Sequence, residues 1–360
     1  MKKLNEIARQ FALEGEVASI GPLGNGLINE TFRVNTVGGP SYVLQRINHN
    51  IFRDVELLQN NIMSVTAHIR RKLQDAGEAD VDRKVLTFIP LKDSSQTWYF
   101  DGENYWRVSL FIGDAYTYET VNPEYSYLAG RSFGRFEAML ADLPDSLGET
   151  IPDFHNMELR ARQLDEAVAS DAVGRMAEEE VKSILAEIMQ YREQMCKAER
   201  MYREGVLPKR ICHCDTKVNN MMFDSEGEVL CVIDLDTVMP SFVFSDFGDF
   251  LRTAANKVAE DDPRIDMVEF DMDIFKAFAR GYIESASSFL TPVERENLSY
   301  AAALFPYMQA VRFFTDYING DTYYKISYPD HNLVRTRNQM ALFRSVMARM
   351  SEMDEFIAII

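Results

Sequence analysis

ICHCDTKVNNMMF, residues 211–223, places a histidine, two cysteines, an aspartate, a lysine and two asparagines directly ahead of an apolar run. A second apolar, β-prone run follows at 228–233, and the DSEG between them (224–227) is a strong turn signal, so the spacing predicts an antiparallel hairpin. In such a hairpin the residue before the first strand and the residue after the second end up side by side. Here those residues are Asn220 and Asp234, and Asp215 lies five residues before Asn220 in the entering loop. Oxygen donors with no softer partner suit Mg²⁺, and a carboxylate near the metal but free to take a proton suits a base that orients a hydroxyl nucleophile. Taken singly, either aspartate reads as an ordinary turn cap; the spacing that joins them through Asn220 favours the ligand set. A zinc site through Cys212, His213 and Cys214 fits poorly. Alternate residues of an extended segment face opposite ways, and Cys196 and Cys231 supply no paired spacing for a closed four-ligand site.

Working outward, the hairpin lies in a region whose flanks carry apolar residues at helical spacing, from about residue 122 onward. Thr291, Pro292 and Glu294 form a capping start for one of these helices. The first hundred or so residues read differently. Strands are expected at 17–21, 29–36, 41–47, 85–91, 96–101 and 104–112, with VGGP (37–40) and DGEN (101–104) as turns. A helix is expected from 54 to 75, started by Asp54 and stopped near Gly77. The fold class is therefore α+β and bilobal: a small antiparallel β lobe over 1–112 and a larger, mainly helical lobe over 113–360. The glycine loop GPLGNGLIN (21–29), set between the first two strands, could aim backbone amides at phosphate oxygens, although it lacks the Gly-Lys-Ser/Thr ending of a Walker loop.

Composition narrows the partners. With 46% hydrophobic and 26% charged residues among 360, the chain is an ordinary globular one. A net charge of −18 argues against nucleic acid and against an anionic membrane surface. No apolar run nears the ~20 residues of a membrane helix, and the N-terminus lacks a signal peptide's apolar core, so a cytoplasmic location is expected. Four cysteines are too few and too scattered for a disulfide framework. No protein partner is indicated.

Together HCDTKVNN (213–220), VIDLD (232–236) and SDFGD (245–249) resemble the catalytic loop, metal segment and later aspartate of the aminoglycoside phosphotransferase-like family, a branch of the protein-kinase-like fold. The longer strings LINET (27–31), YVLQRIN (42–48), IDLDTVMP (233–240) and GDTYYKISYPDHNLVRTRNQ (320–339) are similar to the N-acetylhexosamine 1-kinases of that branch. The resemblance implies ATP as co-substrate, Mg²⁺ as cofactor and a small neutral sugar as acceptor, phosphorylated on its anomeric hydroxyl. It further implies Asp215 as base, Lys217 beside the transferring phosphoryl group, and Asn220 and Asp234 as Mg²⁺ ligands. Nucleotide contacts would come from Gly24, Asn25, Gly26, Asn29 and Gln45, and sugar contacts from Arg312 and Tyr323. Asp246 would brace the catalytic loop through its backbone, and Asp236 would belong to the metal or substrate region. Gln45 stands where many kinases carry a phosphate-pairing lysine; Arg46 faces the other way, and Glu56 is a candidate for the helix glutamate only by location. That departure keeps a nucleotide-binding regulator without turnover in view, beside kinases of other small hydroxyl compounds such as homoserine, choline or a methylthio-sugar. A glycosyltransferase using DLD (234–236) would need a parallel sheet, which the order of elements opposes.

Overall fold

The expected strands of the N-terminal region form a five-stranded antiparallel sheet in the order β1-β2-β3-β5-β4. The strands are β1 (Glu16–Pro22), β2 (Glu30–Val37), β3 (Tyr42–Ile47), β4 (Trp98–Phe100) and β5 (Tyr105–Leu110). This is a computed structural model, and it describes residues 2–24, 28–119 and 121–360. Alternation sends Val34, Tyr42, Leu44, Trp106 and Val108 to one face, where they pack with Ile7 and Phe11 from the N-terminal segment. The turn between β2 and β3 needs its glycines: a Cβ on Gly39 would sit 2.1 Å from the carbonyl oxygen of Glu14, and Gly38 has φ +78°.

The stretch expected as a strand over 85–91 is corrected to a single bridge of Phe88 to Ser109 on β5 and one of Leu91 to Phe11. Ile89 N–H donates to Val108 O and Leu110 N–H to Thr87 O, both at 2.8 Å. Beyond that point β4 takes the same edge of β5, Trp98 pairing with Arg107, and Leu91 N–H turns to Gln96 O at 2.8 Å, so the pairing stops there. The helix Val55–Asp75 starts where Asp54 accepts from Leu57 N–H at 2.9 Å and stops before Gly77, which has φ +70°.

The hairpin forms from Met221–Phe223 and Val229–Val232, pairing Met221 with Val232 and Met222 with Cys231. Asp224 closes its turn by accepting from the N–H groups of Glu226 and Glu228, and Gly227 takes φ +84°. The chain divides into two units, and the hairpin folds with the sheet. The first unit comprises Met1–Thr117, Asp142–Pro152 and Asn220–Met239; the second comprises Tyr118–Ala141, Asp153–Asn219 and Pro240–Ile360. Tyr116 joins the hairpin within the first unit through two 2.8 Å backbone bonds to Phe223.

The second unit is helical. Its helices Pro123–Leu140 and Met272–Ala286 cross closely enough that a Cβ on Gly130 would lie 2.1 Å from Phe278 O, and one on Gly281 2.2 Å from Tyr127 O. The helix Leu298–Ile318 is buried on nearly every side, which its apolar composition all round requires. The Thr291–Glu294 capping box opens the short helix before it, as expected. Among the described residues no helix is long and apolar enough to cross a membrane. All four cysteines are free thiols.

Candidate active site

In the second unit, the strand Arg210–Cys212 runs into a loop held by one buried aspartate. The Asp246 carboxylate accepts from His213 N–H on Oδ2 and from Cys214 N–H on Oδ1, both at 2.7 Å, and its carbonyl accepts from the Thr216 hydroxyl at 2.8 Å. Cys214 takes φ +63°, so the chain reverses there and carries Asp215 outward. His213 is fully buried, its ring edge-on to Phe133 at 5.5 Å and Phe136 at 5.9 Å, and its Nδ1 accepts from Asp215 N–H. Its role is thus to pack and to shape the loop. The Cys212 and Cys214 thiols are pushed well up, by burial first and then by the acids nearby.

Asp215 is partly exposed and pairs with Lys217, Oδ1 to Nζ 2.6 Å. Burial pulls the Lys217 ammonium down, but the charges of Asp215 and Asp249 outweigh that and hold it above its ordinary value. Asp249, buried and raised chiefly by that burial, is paired with Arg252 at 3.2 Å.

In the first unit, the hairpin brings Asn220 and Asp234 to one end: Ile233 N–H donates to Asn220 O at 2.9 Å, one step beyond the last strand pair. Asn220 is buried. Asp234 is exposed in a left-handed conformation, φ +59°, which a short polar side chain tolerates better than most and which concentrates at functional positions. Both offer oxygen donors, the set a hard cation such as Mg²⁺ takes.

Asp236, two residues on, is the centre of a buried polar network within this unit. Its Oδ1 pairs with Arg107 Nη1 at 2.5 Å, its Oδ2 accepts from Asn29 Nδ2 at 2.6 Å, and its carbonyl accepts from the Thr150 hydroxyl at 2.9 Å. Arg107 also donates from Nε to Gln45 Oε1 at 2.9 Å, because β3 and β5 set Gln45 and Arg107 directly opposite. Gln45 in turn donates to the Thr31 hydroxyl, and Asn29 accepts from Asn48 N–H. Arg46 lies on the other face, against Glu30 and Asn104, as alternation requires. Sequence reading missed Arg107. Its one signal was an arginine set in the middle of the mostly apolar YWRVSL strand, across from Gln45. Glu56 is exposed in the first turn of its helix. Gly24 has φ +68° with open space around it, whereas Asn25 and Gly26 lie outside the described residues.

Arg312 and Tyr323 belong to the second unit. Arg312 donates to Gln309 and lies 5.6 Å from the Tyr324 ring and 5.8 Å from the Phe154 ring. Tyr323 is 74% exposed and edge-on to Tyr324 at 4.8 Å. Buried Asp316 sets this loop by accepting from the N–H groups of Thr322, Tyr323 and Tyr324 at 2.8–2.9 Å and from Asn332 Nδ2. Arg160 is lowered to about 10 by burial and by the positive charge of Arg312.

Residues 19–283 match the family model described as the phosphotransferase enzyme family. The chain belongs to that family. Among solved structures, an aminoglycoside phosphotransferase from Alicyclobacillus acidocaldarius is similar at TM-score 0.62 and 12% identity, covering 96% of each chain. The choline kinase of Streptococcus pneumoniae is similar at TM-score 0.52 and 14% identity, covering 96% of this chain and 98% of its own. An amicoumacin kinase, solved in complex with AMP-PNP, Ca²⁺ and Ami, is similar at TM-score 0.59 and 13% identity, covering 95% of this chain and 93% of its own. At such identities the likeness speaks for the fold: an antiparallel sheet followed by a mainly helical region.

Proposed function

We propose that this phosphotransferase is an ATP-dependent kinase that phosphorylates the anomeric hydroxyl of an N-acetylhexosamine, GlcNAc or GalNAc, to give the sugar 1-phosphate. The observation that carries the reading is the hairpin end that sets Asn220 beside Asp234, five residues of chain beyond Asp215. Asp215 orients the sugar hydroxyl and accepts its proton; Lys217, held by Asp215 and raised by the acids around it, steadies the transferring phosphoryl group. Asn220 and Asp234 hold Mg²⁺, whose charge offsets that of the triphosphate. Relatives of the same fold carry ADP or AMP-PNP, which supports a nucleotide donor. Arg107 takes over from the missing lysine: fixed by Asp236 and Gln45, it ties the metal-ligand segment to β5 and brings the charge that Gln45 lacks. Positioning and electrostatics supply most of the acceleration in such a transfer.

The choice of sugar rests on the long strings similar to N-acetylhexosamine 1-kinases and on the loop that sets Tyr323 against Tyr324, whose ring lies 5.6 Å from Arg312. The guanidinium groups of Arg160 and Arg312 disfavour a cationic acceptor such as choline, which needs an aromatic and acidic cage. A neutral acetamido sugar with hydrogen-bond acceptors suits them. Purified protein assayed with Mg·ATP against N-acetylhexosamines, homoserine, choline and a methylthio-sugar is expected to turn over only the first group. Turnover of another acceptor with none of any N-acetylhexosamine would refute the choice.

A further inference from the structure

Glu137 lies on the helix Pro123–Leu140, 2% exposed, and its Oε2 accepts from the Tyr282 hydroxyl. Its other oxygen, Oε1, is buried and makes no hydrogen bond of ordinary geometry. A carboxylate oxygen of Glu137, one of Asp246 and the Cys212 sulfur all lie within 4.8 Å of one another. Asp246 is fully buried, and its two oxygens are the ones that hold His213 N–H and Cys214 N–H. Two carboxylates so close in a dry interior cannot both be ionised. Asp246 has two backbone donors to support its charge, whereas Glu137 has one hydroxyl and the weakly donating Cys212 thiol.

We propose that Glu137 carries a proton and donates it as a hydrogen bond to Asp246, making this acid pair the brace that fixes the 213–216 loop. Glu137 is thus a positioning residue acting through Asp246, and its functional weight rests on reading that loop as catalytic. The donated hydrogen bond removes the orphaned oxygen, because a protonated Oε1 becomes a donor with an acceptor beside it. Burial and the Asp246 charge both push the Glu137 carboxyl well above its ordinary value, in keeping with this. Facing Glu137 are Tyr282, Asp246, Cys212, Cys214 and His213; Arg210 feels its charge but is committed to Glu294 at 2.9 Å. A metal at these three residues is the competing use. It would have to displace two N–H groups from Asp246 and the Cys212 thiol from Phe242 O, to which it donates at 3.3 Å.

The test compares wild type, Glu137→Gln and Glu137→Leu. Glutamine keeps a donor toward Asp246 and an acceptor for Tyr282; leucine removes both. Amide exchange in the 211–216 segment is expected to stay slow in Glu137→Gln and to accelerate about ten- to a hundredfold in Glu137→Leu. The sign of the pH effect is also fixed. Folded Glu137 holds a proton that the unfolded chain releases above about 4.3. Wild-type stability should therefore fall relative to Glu137→Gln as pH rises from 5 toward 8, read as a widening gap in Tm. Equal exchange in both variants, a gap flat with pH, or stoichiometric metal whose removal by EDTA lowers the wild-type Tm would each overturn the acid pair. If exchange accelerates in Glu137→Leu while phosphoryl transfer stays at the wild-type rate, the brace stands and the catalytic reading of the loop falls.

Discussion

At the scale of single residues, the buried polar network of the sheet is built around one guanidinium on β5. Gln45 brings no charge, yet register sets Arg107 directly across from it, and Arg107 pairs with buried Asp236. Breaking a buried ion pair from one side strands the other charge and costs about 3–5 kcal/mol. Arg107→Gln is therefore expected to lower unfolding stability by that amount in chemical denaturation, with Arg107→Lys losing less because it keeps the charge. A loss below about 1 kcal/mol for Arg107→Gln would show that Asp236 does not depend on it. None of this was legible beforehand. The two partners are 129 residues apart in sequence, and no periodicity or local spacing links them. The placing of Asn220 and Asp234 at one end of the hairpin was legible, because a hairpin's ends are fixed by its own turn.

At the scale of elements, local chemistry predicted most boundaries. Asp54 caps its helix, DGEN closes its turn through Asp101, and DSEG closes the hairpin, since each device acts within four residues. The stretch over 85–91 failed because its apolar, β-prone composition says nothing about β4, which takes the rest of that edge of β5. The 321–325 loop is likewise set by a distant group. Asp316, inside the helix Leu298–Ile318, gathers three successive amides and so holds Tyr323 and Tyr324 in place. Asp316→Asn replaces a pure acceptor with a group that is half donor, facing donors. On the proposed reading, in which this loop contacts the sugar, the KM for N-acetylhexosamine is expected to rise about tenfold or more while the KM for ATP stays within about twofold. Equal rises in both constants would mean that Asp316 supports the fold generally and not the acceptor.

At the scale of the whole molecule, the α+β plan was readable from the change of pattern near residue 120, but the membership of its two units was not. Residues 220–239 come late in the chain and still fold with the early sheet, because their strands bury Met221, Phe223 and Cys231 there. A net charge of −18 is compatible with an anionic donor when a divalent cation and a few fixed guanidinium and ammonium groups carry the neutralisation. The central claim is that Asp215 is the base of a phosphoryl transfer to a sugar hydroxyl. The most direct measurement follows phosphorus resonances of Mg·ATP and N-acetylhexosamine with wild type and Asp215→Asn, beside a titration of nucleotide binding. The expected result is a sugar 1-phosphate signal in wild type, slowed about a hundred- to ten-thousandfold in the variant, with nucleotide affinity unchanged. A variant that forms the product at the wild-type rate would contradict it.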